Sequence, residues 1–195
     1  SMALSAAGNR TTDETPAGKA LRRALEYMLA PGRQDATNAN GYVVGYYGRS
    51  DGSNMYGHGI VTLMLAEMIG MGVDAKQDAL IRERCQKAVD LIVRSQKVKK
   101  SDTLKGGWRY APTSTDSDLS VTVWQVMALR AAKNAGLVVP KETIDDAIAY
   151  IKRSYPSRRD KDGRILDMTN AFAYQPNNGP SYSSAAAGLL ALQDR

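Results

Sequence analysis

Three stretches of the chain place apolar residues at positions i, i+3, i+4 and i+7. They are Leu21, Ala24, Leu25 and Met28; Cys85, Ala88, Val89 and Ile92; and Ile144, Ala147, Ile148 and Ile151. This spacing covers one side of a 3.6-residue turn and leaves the other polar, so each stretch predicts an amphipathic helix buried on one face. A second segment follows each one: YGHGIVTLMLAEMIG, SVTVWQVMALRAAKNAG and SSAAAGLLALQ. These are apolar on nearly every side and rich in Ala and Gly, which predicts helices enclosed by others. VMAL (126–129) aligns with LLAL (189–192) and more loosely with TLML (62–65). The unit is an outer amphipathic helix, a long loop and a buried inner helix, repeated about every 60 residues. No alternating strand pattern competes with it; VVGYY at Val43 is short and flanked by Gly.

The connections are unequal. Inner-to-outer links are short, GMGVDA and GLVVPK, with Gly136 placed as a helix C-cap and Pro140 opening the next helix. Outer-to-inner links span 31–53, 98–117 and 155–180, and loops of that length are more often functional than mere connections. If successive helices are antiparallel, all three long loops lie on one rim beside the N-termini of the inner helices. Most tyrosines gather there (Tyr42, Tyr46, Tyr47, Tyr56, Tyr110, Tyr174, Tyr182), with Arg49, Lys105 and Arg109. The expected fold is all-α, a toroid-like arc of three helical hairpins over residues 16–195. A flexible segment, 1–15, precedes it. Three hairpins form an arc with apolar end faces, so a homodimer, or additional repeats of a longer chain, is expected to cover them.

Composition narrows the function classes. With 195 residues the chain can bury a core of its own, and its formal charge is +6. Lys and Arg are densest from Lys76 to Arg109, which reads either as a solvated helix surface or as an anion-binding face. No basic motif with interleaved aromatics points to nucleic acid. The longest apolar run carries Glu67 and is too short to span a bilayer, so no transmembrane segment is expected. The N-terminal stretch lacks the regions of a signal peptide, and the leading Ser-Met reads as an addition to the natural start. Cytoplasmic and exported locations both stay open. The single cysteine, Cys85, lies on a helix stripe and reads as a buried thiol.

MYGHGIVTLMLAEMIGM (55–71), GGWRYAP with the following DLSVTVWQVMALRAAKNAGLVVP (106–140), and AAAGLLALQ (185–193) carry a resemblance. They are similar to the repeats of the prenyltransferase/squalene-oxidase group, in particular to a bacterial envelope-type branch. That group belongs to the superfamily of terpenoid cyclases and protein prenyltransferases. The resemblance implies an α/α toroid. Squalene-hopene-type cyclases carry an Asp-x-Asp-Asp-Thr motif whose middle aspartate protonates the polyene. Here the first Asp falls on Asp118 and the Thr on Thr122, but Ser120 and Val121 occupy the other two places. A serine hydroxyl is too weak an acid for that step. Protein prenyltransferases hold zinc with Asp, Cys and His, whereas Cys85 lies in an outer helix and the only histidine, His58, in a different inner helix. No metal site and no cofactor is therefore implied. Gln96 and Trp108 resemble the Gln–Trp pair that braces the turns of cyclases.

Asp118 is placed to cap the inner helix that follows it, and Asp116 to be a solvated loop residue. If the chain is an enzyme, an isoprenoid cyclase or transferase or a polysaccharide-active lyase or hydrolase, Asp118, Asp116 and His58 are its candidate acid/base groups. His58 has a second reading, as a ring satisfied by a neighbouring carbonyl. Arg109, Tyr110, Tyr56, His58, Arg49, Trp124, Gln125 and Tyr182 are the candidate ligand-binding residues, with Trp124 in the core as the alternative. Aromatic and guanidinium groups on convergent loops suit a hydrophobic, carbohydrate or peptide ligand. With the cyclase acid and the zinc ligands lost, the leading expectation is a non-catalytic module that binds a ligand or partner through the long-loop rim and a central groove.

Overall fold

The computed structural model describes residues 2–36, 44–155, 161–162, 172–176, 178–179 and 181–192. Among them are seven α-helices and no strand: α1 (Met2–Ala6), α2 (Pro16–Leu29), α3 (Asn54–Glu67), α4 (Ala75–Gln96), α5 (Leu119–Asn134), α6 (Lys141–Arg153) and α7 (Tyr182–Leu192). The expected all-α class and the outer–inner alternation are both present. α3, α5 and α7 form the inner row, with α5 packed between the other two. α4 lies across α3 and α5, α6 lies across α5 and α7, and α2 packs on α4. On α7, Leu189 and Leu190 stay exposed.

The stripes predicted for the outer helices face this inner row. Cys85, Ala88, Val89 and Ile92 are fully buried, as are Leu21 and Leu25, while Met28, Ile144 and Ile148 are partly covered. The starts obey local chemistry. Thr15 accepts the Gly18 N–H ahead of Pro16, Asp74 accepts that of Gln77 at 2.7 Å, and Asp118 accepts that of Val121 at 2.8 Å. Gly136 ends α5 at φ 77°, and the Leu137 N–H reaches back to Ala132 O at 3.0 Å. The segment before Pro16, expected to be flexible, holds α1 and is tied down. Thr11 donates its hydroxyl to Met71 O, and Arg22 Nε donates to Thr11 O at 2.7 Å.

One device recurs in the long loops. Gln34 Nε2 donates to Gly45 O (3.1 Å) and to Arg84 O (2.7 Å). Gln96 Nε2 donates to Gly106 O (2.9 Å) and to Thr143 O (2.8 Å). Each buried amide thus joins its own loop to the next outer helix. The glycine of each pair sits against that helix one turn further on. A Cβ on Gly45 would lie 2.2 Å from Lys87 O, and one on Gly106 would lie 2.3 Å from Asp146 O. Both have positive φ, 92° and 89°, so glycine is required on two counts.

Two residues after each glycine comes a buried aromatic, Tyr47 or Trp108. The Trp108 N–H donates to Thr122 Oγ1 at 3.0 Å and its indole donates to Ile92 O at 2.9 Å. The Tyr47 N–H donates to His58 Nδ1 at 3.3 Å. Trp108 thus packs in the core and ties its loop to α4 and α5, while Gln96 holds the same loop two residues earlier, at Gly106. Gly106→Ala is expected to destabilise the protein by on the order of 3 kcal/mol, from clash and strain together. Gly52, at φ 70° with open space around it, should cost only about 1 kcal/mol on the same change. Chemical denaturation of the two variants checks the contrast; equal losses would contradict the role of the contact.

Candidate functional site

The long loops bring a cluster of polar and aromatic side chains to the N-terminus of α5. Asp118 lies at its centre and is fully buried. Its N–H donates to Trp108 O at 2.9 Å, which pins the loop on both sides of the GGW turn. Carboxylate Oδ1 accepts the Val121 N–H and, at 2.6 Å, the Ser120 hydroxyl. Because Ser120 spends its one proton there, the 2.5 Å contact between Tyr56 and Ser120 has the phenol as donor. A chain therefore runs from Tyr56 through Ser120 to Asp118. Oδ2 lies 3.1 Å from Arg109 Nε, but the two are not aligned as a hydrogen bond, and each lacks a hydrogen-bond partner. Arg109 donates from Nη1 to Asp116 Oδ2 at 2.7 Å.

Aromatic rings flank this pair of ions. The Arg109 guanidinium is 4.7 Å from the Tyr110 ring centroid and 5.6 Å from that of Tyr174. Tyr56 and Tyr110 stack at 6.0 Å, and the Tyr110 and Tyr174 hydroxyls share a 2.6 Å hydrogen bond on the exposed side. Burial pushes the Tyr174 phenol up, and the bond to Tyr110 and the nearby Asp118 carboxylate push the same way. Tyr110 is 40% exposed, the most accessible ring of the cluster. Backbone bonds set its position. Tyr110 O accepts the Met55 N–H at the start of α3 (3.0 Å), and Tyr174 O accepts the Leu119 N–H at the start of α5 (2.8 Å). The Tyr56–Ser120 and Tyr110–Tyr174 pairs are each 64 residues apart, so the cluster is a contact between equivalent points of successive repeats.

Of the residues singled out in the sequence, Asp116, Asp118, Arg109, Tyr110 and Tyr56 are brought together. The others sit elsewhere. Arg49 is mostly exposed on the first long loop, 3.7 Å from Asp35. Gln125 is fully buried and donates to Met55 O at 2.7 Å, tying α5 to α3 where Gly59 leaves room for its amide. Trp124 is half-buried against the core beside that contact. The side chain of Tyr182, and Tyr42, lie outside the described residues. Tyr174, expected on the rim but not among the candidate ligand-binding residues, and Ser120, read only as standing in the place of the cyclase acid, also belong to the cluster. The signal for Tyr174 was its place in the repeat, one 64-residue step after Tyr110.

His58 is a structural brace. It is fully buried, its Nδ1 accepts the Tyr47 N–H, and its Nε2 is therefore the protonated nitrogen that donates to Ala88 O at 3.1 Å. It occupies in α3 the role that Thr122 plays in α5, that of acceptor for the aromatic's N–H. Cys85 is likewise enclosed, its thiol donating to Thr62 O and pushed up to about 12 by burial. Among the described residues no three His, Cys, Asp or Glu side chains are grouped to hold a metal, and no helix is long and apolar enough to cross a membrane.

Burial holds the His58 pKa down, at about 4 against an ordinary 6.5. The unfolded chain therefore binds a proton that the folded one refuses between these values, and stability is complete above pH 6.5 and lost as pH falls toward 4. The loss is on the order of 3 kcal/mol. Urea titrations across that range should show the slope, and His58→Gln should flatten it; an unchanged slope would assign it to other groups. In comparisons with known proteins, no family model, no curated protein and no solved structure matches the chain.

Proposed function

We propose that the chain is a non-catalytic binding module on an α/α-toroid-like scaffold of the squalene-cyclase/prenyltransferase kind, and that it binds through the long-loop rim. The observation that carries this reading is the division of labour inside the cluster. The Asp118 carboxylate is buried against Ser120 and the Val121 N–H and the half-exposed Asp116 is engaged by Arg109, whereas Tyr110 keeps an accessible ring with the Tyr110–Tyr174 hydroxyls at its edge. A ring of this kind offers a face for the C–H groups of a sugar or an apolar peptide side chain, and its hydroxyl edge fixes the orientation. The cation beneath strengthens the platform by holding two rings in place.

One observation favours a second reading, an enzyme on the same scaffold. Asp118 Oδ2 is buried, lacks an aligned hydrogen bond and lies close to the phenol of Tyr174, an arrangement through which a proton could travel to the rim. The two readings part on a simple pair of variants. Screened against soluble neutral and acidic polysaccharides by affinity electrophoresis, and against apolar hexapeptides by fluorescence anisotropy, the binding module should lose affinity about tenfold in Tyr110→Ala. Asp118→Asn should leave most of that affinity. Turnover of a bound polysaccharide that falls at least about a hundredfold in Asp118→Asn, with binding kept, would establish the enzyme instead.

A further inference from the structure

The basic stretch KVKKSDTLK has no part in the rim cluster, yet it is as firmly placed as the rest of the loop. Gln96 ties α4 to Gly106 O and Thr143 O, Ser117 donates to Leu104 O at 2.8 Å, and Arg153 donates to Thr103 O and to Lys105 O. Between this loop and the first turn of α6 lies a cavity of about 320 Å³. Lys97, Lys99, Lys100 and Lys105 line it with Glu142 and Asp146, four ammonium groups against two carboxylates.

Lys97 lies 3.5 Å from Glu142 and Lys105 lies 3.1 Å from Asp102, but these are pairs of exposed side chains, which exchange readily with solvent. Lys99 has no ion-pair partner among the described residues. Lys100 is half-buried and its ammonium meets only backbone, at 3.2 Å from Ser95 O and 3.4 Å from Gln96 O and Val98 O. The opposite wall, the first turns of α6, brings Glu142 and Asp146 to the cavity and offsets them in part by the positive end of the helix. α6 starts from Pro140 with no side chain capping its first N–H groups, and Thr143, part of the wall, has a fully buried hydroxyl without a partner. A volume of this size is more than one inorganic anion fills, and it is too small to track a nucleic-acid backbone.

We propose that this cavity binds a phosphate group carried on a small organic body, a soluble phosphomonoester or a phosphomonoester lipid headgroup, held by Lys99 and Lys105 over the first turn of α6 with the charge of Lys100 beside them. The braces fix the loop backbone, and the Lys100 ammonium is held by three carbonyls before the ligand arrives, whereas the exposed Lys99 and Lys105 side chains are ordered on binding. Burial draws Lys100 down to about 8, with the charge of Asp116 opposing it. At pH 7 it is charged, and above pH 8 it is not, while a phosphomonoester keeps its double charge throughout. The other titratable groups facing the cavity are Lys97, Lys99, Lys105, Glu142 and Asp146. Affinity should therefore weaken from pH 7 to pH 9.

The test is a ¹H–¹⁵N titration of the whole chain with glycerol 3-phosphate, against glycerol in sodium chloride of matched ionic strength. Sedimentation with vesicles of phosphatidylcholine, with and without phosphatidic acid, is run in parallel. Saturable shifts at the amides of Lys99, Lys100, Gly106 and Glu142 are expected, weakened about fivefold or more in Lys99→Ala/Lys105→Ala. The same shifts should survive in Lys76→Ala, a change outside the cavity. Both lysines replaced in the double variant are exposed, so its fold is preserved. Binding of glycerol 3-phosphate identifies a soluble source; capture only by phosphatidic acid vesicles, lost in the double variant, identifies a headgroup. Shifts reproduced by sodium chloride, binding unchanged in the double variant, or no response in either arm overturns the proposal.

Discussion

A buried glutamine amide that donates to two backbone carbonyls on different elements is the contact on which each of the first two long loops depends. A loop of some twenty residues running between packed helices carries carbonyls that water cannot reach, and each must find a donor. Gln34 and Gln96 supply both donors at once, one to the glycine of their own loop and one to a carbonyl of the next outer helix. The glycine then sits against that helix too closely for any side chain. From this fixed point the following residues have little freedom. Trp108 turns into the core, and Arg109 and Tyr110 emerge at the rim.

The rim is therefore built by repetition. The carbonyl of a rim tyrosine accepts an N–H from the first turn of the preceding inner helix, in one case Tyr110 from Met55 and in the next Tyr174 from Leu119. Helix N-termini need such acceptors, and here a neighbouring repeat provides them. The same step of 64 residues brings Tyr56 to Ser120 and Tyr110 to Tyr174. Side chains that make up the candidate binding face are thus also the seam between repeats, so the face is rigid at its base and accessible only at its outer edge.

One turn positions two surfaces of opposite character. Gly106 lines the lysine-rich cavity, and three residues on, Arg109 lies under the tyrosines. Trp108, buried between them, separates the basic wall from the aromatic rim. Asp116 touches both fields, as the partner of Arg109 and as the carboxylate that opposes the lowered pKa of Lys100.

The sequence by itself determined what depends on local period and local chemistry. The i, i+3, i+4, i+7 stripes specified the outer helices, the uninterrupted apolar runs specified the inner ones, and Asp118, Gly136 and Pro140 marked ends that the backbone honours. Unequal link lengths placed Tyr56, Tyr110 and Tyr174 on one rim, but Tyr46 and Tyr47, expected there too, are buried in the core. What only the tertiary structure decided is which polar side chains are used up inside. His58 and Gln125 look alike in sequence to groups that line a groove, but both are sealed in the core, by carbonyls of α4 and α3 and by the Tyr47 N–H of the first loop. Asp118 and Arg109 meet because Trp108 and Asp118 pair across their loop, a contact with no signature in either stretch alone. The reason is physical: helix period is a property of neighbours along the chain, whereas satisfaction of a buried donor or acceptor depends on which distant carbonyl or amide the packing brings within reach.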